Sequence, residues 1–123
     1  MEQILPLLEG VYYLATTDGD QPHVRPFDAA CVLDGKLYIG TLNTKRVYDQ
    51  IVKNPKVEIF AMGDSGMLRF TAEAYPVEDA ELNTKAYGAM GKDPATENHA
   101  SIELRHIRGD VQDKMGVKTE IDF

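Results

Sequence analysis

The chain has 123 residues, 43% of them hydrophobic, with 20 acidic and 13 basic side chains for a formal net charge of -7. That length and apolar content make one globular domain with a modest core, and the acidity argues against nucleic acid, whose phosphates call for broad positive surfaces. The single cysteine, Cys31, can form no internal disulfide, which agrees with a reducing compartment; in Ala29-Ala30-Cys31-Val32 it reads as a small buried residue, and no chemistry is assigned to it.

MEQILPLLEG predicts a short helix around residues 2 to 9. Its apolar run is too short for a signal peptide and has no basic residues before it, and no segment reaches the roughly 20 apolar residues of a membrane span, so the expected location is the cytoplasm. Strands are predicted near residues 11 to 17 and 23 to 33, where apolar and β-branched runs lie between turn signals such as Asp18-Gly19 and Asp34-Gly35. Within the second run, His23-Val24-Arg25-Pro26-Phe27-Asp28 is unusual, because a proline removes a ladder donor and belongs at an edge, an end or a bulge. It reads in two ways: an edge strand with a solvated Arg25, or a strand whose irregular middle offers free backbone groups, a cation and an aromatic ring to a flat heterocycle.

Lys36 to Gly40 alternates apolar and polar residues, predicting a strand over 36 to 41, and Val47, Tyr48, Ile51 and Val52 recur at helical spacing, predicting a helix over 44 to 53 that Asn54-Pro55 ends. Between them runs Thr41-Leu42-Asn43-Thr44-Lys45-Arg46. With Asn43 or Thr44 as cap, free N–H groups, a hydroxyl and two cations would meet at the positive end of the helix dipole, a place for phosphate. A solvated helix start is the plainer alternative. Charge favours the anion site: residues 42 to 57 hold Lys45, Arg46, Lys53 and Lys56 against Asp49 alone, one basic island in an acidic chain.

Further strands are predicted near 57 to 62, 67 to 77 and 101 to 109, with a last one over 116 to 122, and a second helix near 78 to 90 with Leu82, Ala86, Tyr87 and Met90 on its apolar face. GKDPATENHA, residues 91 to 100, reads as an exposed loop and the most mobile segment. Gly63-Asp64-Ser65-Gly66 echoes a protease nucleophile motif, but between two strand runs it is a hairpin turn. His23, His99 and His106 have no spacing that suits a metal, and no glycine-rich nucleotide loop is present. Six or seven short strands and few helices predict a mainly β (α+β) fold, an antiparallel barrel that hides its edges by closing on itself.

The order of these motifs, from Val24-Arg25-Pro26-Phe27 through Leu37-Tyr38-Ile39, Thr41, Asn43-Thr44-Lys45 and Asn54-Pro55 to Leu68-Arg69 and Ala72-Glu73-Ala74, resembles the FMN-binding split-barrel family. More narrowly it is similar to the small proteins related to pyridoxamine 5'-phosphate oxidase, among them general-stress and nitroimidazole-reductase-like flavoproteins. The resemblance covers residues 8 to about 110 and implies a six- or seven-stranded split barrel with FMN as cofactor. It places Arg25, Pro26, Phe27 and Asp28 along the flavin ring and ribityl chain, and Thr41, Asn43, Thr44 and Lys45 at the phosphate with Arg46 as a second cation. Gln50 and Arg69 are further candidates. It also implies a homodimer with flavin at the subunit interface, no membrane or nucleic-acid partner, and oxidoreduction of a small molecule such as a nitro compound or quinone. Synthesis of pyridoxal phosphate is not expected, because the longer oxidases complete their site with a C-terminal Trp and Arg, and this sequence has no Trp and stops at Phe123. Two other readings stand beside it: a non-catalytic binder of FMN or a related flavin, haem or deazaflavin, and a structural dimer that has lost its ligand.

Overall fold

Period-two alternation of apolar residues builds eight antiparallel strands in the computed structural model, which describes all 123 residues. They are β1 (Tyr12–Asp18), β2 (Gln21–Phe27), β3 (Ala30–Leu33), β4 (Lys36–Leu42), β5 (Lys56–Gly63), β6 (Gly66–Pro76), β7 (His99–Gln112) and β8 (Lys118–Asp122). Two helices join them, α1 (Arg46–Lys53) and α2 (Ala80–Ala89), after an N-terminal 3₁₀ turn at Leu5–Leu8. The strands form one sheet in the order β2-β1-β5-β6-β7-β4-β3, with β8 added to β7.

The barrel does not close. β2 and β3, consecutive in the chain, are the two ends of the sheet. The expected single strand over 23 to 33 is therefore two strands, broken at Asp28-Ala29 where the chain crosses from one edge to the other. The sheet curls enough to bring those edges together: the Ala29 carbonyl accepts hydrogen bonds from Tyr12 Oη at 2.6 Å and from the Gly40 amide at 3.3 Å. This is the split of a split barrel, and it leaves β2 with unpaired backbone groups on one side. Pro22 and Pro26 lie four residues apart on that strand, so their missing donors fall on the same edge, and β2 keeps its full register with β1 from Tyr12↔Phe27 to Asp18↔Gln21.

Inside the curl, Leu14, Leu37, Ile39, Ile59, Leu68, Phe70, Ile102 and Leu104 are almost wholly buried, each contributing about 1.5–3 kcal/mol by leaving water. α1 closes one end of the barrel with Val47 and Ile51 and, unexpectedly for a core-facing position, Gln50; the predicted apolar Val52 is 60% exposed. Asp64-Ser65 is the two-residue turn between Gly63 and Gly66, as expected. α2 begins at Asp79, whose carboxylate accepts the Leu82 amide at 3.0 Å, and packs Ala86 and Tyr87 inward. Cys31 is buried, with its thiol 3.5 Å from the Ala86 carbonyl, and burial pushes its pKa up to about 11. No helix is long and apolar enough to cross a membrane.

Candidate functional site

The seam that the split leaves open is where the basic island lies. Two cavities meet there, sharing Arg25, Lys45 and Val47. The larger, about 540 Å³, lies between β2, with His23 and Arg25, and the start of α1, with Lys45, Arg46 and Gln50. The smaller, about 250 Å³, continues past Pro26, Phe27 and Asp28 to Thr41 on β4, Tyr87 on α2 and Lys92 on the following loop. Their size suits a small-molecule ligand.

Arg25 is the most constrained cation of the site. Its Nη1 donates to the Leu14 carbonyl at 3.1 Å and its Nη2 to Gln50 Oε1 at 2.7 Å. Gln50 Oε1 also accepts from the buried Thr16 hydroxyl at 2.5 Å. A guanidinium only donates, so this contact fixes which end of the Gln50 amide is the oxygen. Partial burial lowers the Arg25 pKa, but a guanidinium remains charged at any physiological pH. The result is a positive charge held in place before any ligand arrives.

The start of α1 differs in detail from expectation. Lys45, not Asn43 or Thr44, is the N-cap, and no side chain caps the helix. The Lys45 amide bonds to Leu42 and the Tyr48 amide to Lys45, leaving the N–H groups of Arg46 and Val47, both on the larger cavity, without a backbone acceptor. No carboxylate or hydroxyl of the chain uses these donors, and their residues line one volume together with Lys45 and Arg25. Asp18 is the only acid on the larger cavity. On the smaller, the only acid, Asp28, is paired with Lys92 at 3.0 Å. An anion fits this seam; a cation does not.

Of the residues expected at the site, Arg25, Pro26, Phe27, Asp28, Thr41, Lys45, Arg46 and Gln50 border the joined cavities. Three do not. Asn43 faces a separate cavity of about 570 Å³ on the other side of α1, whose one charged wall residue is Glu78. Thr44 is exposed on the turn and borders neither seam cavity. Arg69 stands on the outer face of the sheet, 3.8 Å from Glu58 and over the Phe60 ring. Sequence reasoning missed Gly40, Tyr87 and Lys92, which border the smaller cavity. A glycine inside a strand is itself a signal of close approach: a Cβ on Gly40 would lie 2.8 Å from Met90 Sδ and 3.3 Å from Tyr87 Cε1.

The loop over 91–98 forms the rim above the smaller cavity. Lys92 ties it to the end of β2, and the Asn43 amide, donating to the Asn98 carbonyl at 2.9 Å, ties it to the turn before α1. Thus the segment predicted to be loose is bound at both ends to site elements, and β7 already begins at His99.

No family model matches the chain, and no curated protein does. Among solved structures it is similar to a NimC/NimA family protein of Clostridium acetobutylicum, with 34% identity, a TM-score of 0.90, and coverage of 100% of this chain and 92% of that one. It is also similar to General Stress Protein 26 of Bacillus anthracis, at 19% identity and TM-score 0.69, covering 98% of this chain and 97% of that one. A pyridoxamine 5'-phosphate oxidase-related, FMN binding protein of Nostoc punctiforme is 14% identical with TM-score 0.59, covering 92% of this chain and 86% of that one. At those two lower identities the likeness speaks for the fold.

Proposed function

The chain belongs to the NimC/NimA family of pyridoxamine 5'-phosphate oxidase-related split-barrel proteins, and on that premise we propose that it is an FMN-binding oxidoreductase for a small molecule such as a nitro compound or quinone. The observation that carries the proposal is the seam itself: a fixed guanidinium, Lys45, Arg46 and two free helix amides gathered in a chain of net charge -7. Lys45, Arg46 and the Arg46 and Val47 amides would hold the phosphate, where charge and helix dipole favour an anion. Arg25 to Asp28 on the free edge of β2, with Thr41 opposite, would flank the ring. When bound, FMN supplies the electron transfer, and the protein supplies position, charge and exclusion of water. Arg25 contributes the charge, since Leu14 and Gln50 hold it still. The loop over 91–98 contributes the exclusion, held down through Lys92.

The homodimer belongs to the same proposal. On the outer face of the sheet the register lines up Pro26, Tyr13 and Phe60 in one row. Tyr13 is 45% and Val24 70% exposed beside it. Val24 and Pro26, part of this apolar surface, also border the seam cavities, so a second copy seated there would border the site.

The test is to titrate purified apoprotein with FMN by fluorescence quenching, to challenge the reduced holoprotein with nitro and quinone acceptors, and to weigh the particle by light scattering. Tight binding, rapid reoxidation and a dimer mass are expected. Absence of flavin binding overturns the proposal; binding without reoxidation by any acceptor overturns the oxidoreductase part of it.

A further inference from the structure

Tyr87 is 7% exposed and Thr41 also 7%, and neither hydroxyl has a partner in the protein, whereas the buried Tyr12 gives its hydroxyl to Ala29. No sealed side-chain nitrogen or oxygen anywhere in the chain lacks a partner. The two hydroxyls therefore open onto space rather than being shut in, and the space that both residues border is the smaller seam cavity. Tyr38 also lacks a partner, but it borders neither seam cavity.

The Tyr87 ring is clamped. Gly40 lies against it, where any side chain would press on the ring and on Met90. The His99 ring also packs on it, centroid to centroid at 4.9 Å. His99 is itself fixed: Nδ1 lies 2.8 Å from the Thr96 carbonyl, which only accepts, so Nδ1 carries a proton, and Nε2 lies 3.1 Å from the Thr84 hydroxyl. A rigid phenol with a free donor is a preorganised acceptor-binding point that costs little side-chain entropy to use.

We propose that the Tyr87 hydroxyl, on the smaller seam cavity and away from Arg46, is a neutral donor subsite that binds a carbonyl or nitro oxygen of a planar ligand, with the Thr41 hydroxyl a second donor elsewhere on the same cavity. The inference rests on the flavin reading and deepens it. The oxygen comes either from the cofactor ring or from a substrate, and Tyr87 donates a hydrogen bond without giving up its proton. The cations of the seam select for anionic groups; Tyr87 selects for neutral oxygen acceptors of the right reach.

The experiment compares wild type with Tyr87→Phe, which keeps the ring and its packing. In one arm apoprotein is titrated with FMN by fluorescence quenching; in the other, oxidised holoprotein is titrated with menadione and with metronidazole by difference absorbance, with no reaction taking place. Loss of one hydrogen bond predicts affinity weaker by about threefold to tenfold. A loss in the FMN arm assigns the oxygen to the cofactor, and a loss in the other arm assigns it to a substrate; both support the subsite. Affinities within about twofold of wild type in both arms overturn it. Gly40→Ala, which displaces the Tyr87 ring without touching its hydroxyl, is expected to weaken the same arm; if it does not, the clamp is wrong. Should wild type bind no FMN, the flavin reading fails separately, and the same two ligands titrated into apoprotein by tyrosine fluorescence still decide the subsite.

Discussion

Replacing Gln50 with methionine removes the acceptor on which the site's internal scaffold depends while keeping the side chain's length. Gln50 is 7% exposed and its Oε1 receives Thr16 Oγ1 at 2.5 Å and Arg25 Nη2 at 2.7 Å. In Gln50→Met the Thr16 hydroxyl, at 2% exposure, loses its partner, which costs about 1–3 kcal/mol. Arg25 keeps its Leu14 contact and turns to water, so its loss adds little. The net expectation is destabilisation of about 2 kcal/mol, or a fall of roughly 6–10 °C in Tm for a domain of this size. Urea unfolding of Gln50→Met, Thr16→Val and the double variant decides the matter. The double variant removes donor and acceptor together and should recover at least about half of the loss, because a pair replaced by apolar groups is close to neutral. A freed Arg25 should also weaken FMN binding by a few fold. If Gln50→Met lies within about 0.5 kcal/mol of wild type, or the double variant is as unstable as the single one, the buried network is not a scaffold.

Lys92→Ala should change global stability by less than about 1 kcal/mol, since the Lys92–Asp28 pair is partly exposed, yet speed hydrogen exchange across residues 91–98; unchanged exchange would show that the pair does not hold the loop. Gly109→Ala should cost more than about 3 kcal/mol, because a Cβ there would meet the Arg69 carbonyl at 1.9 Å and Phe70 Cα at 2.6 Å; urea unfolding at near wild-type midpoint would contradict that packing. The Cys31 thiol ordinarily ionises at 9.0 and burial raises it to about 11 in the fold. Above pH 9 the unfolded chain loses this proton first, so the stability contribution is complete below pH 9 and lost as pH rises to about 11. Cys31→Ala should flatten that part of the stability–pH profile, and an identical slope would place the thiol in contact with water.

Much of this molecule is legible in the sequence because local signals and tertiary structure agree. The proline in 23 to 28 limited that run to an edge, an end or a bulge, and β2 is an edge, Gly63-Asp64-Ser65-Gly66 announced a hairpin, and the alternation of Lys36 to Gly40 announced β4. Lys45 and Arg46 were readable together because their charge stands out against an acidic background, whereas Arg25 was singled out by the proline beside it. The misses arise where the decision belongs to long-range geometry. Asp28-Ala29 carries no break signal, yet the chain must leave one sheet edge for the other there. Asn43 and Thr44 are better caps than Lys45, but the Asn43 amide is tied to Asn98, and the helix begins later. Gln50 lies on the apolar face of α1 because its polar end is used by Thr16 and Arg25, partners 34 and 25 residues away. Tyr87 and Lys92 reach the seam only through the packing of α2 on β7 and β4.

A phosphate site at the start of α1 is tested most directly by comparing FMN with riboflavin, which has no phosphate, for wild type and Lys45→Ala. The variant is expected to bind FMN about tenfold more weakly, near 1.4 kcal/mol for one charge-assisted contact, while riboflavin affinity stays the same. Equal weakening for both ligands, or no weakening for either, would contradict that expectation and remove the phosphate from Lys45.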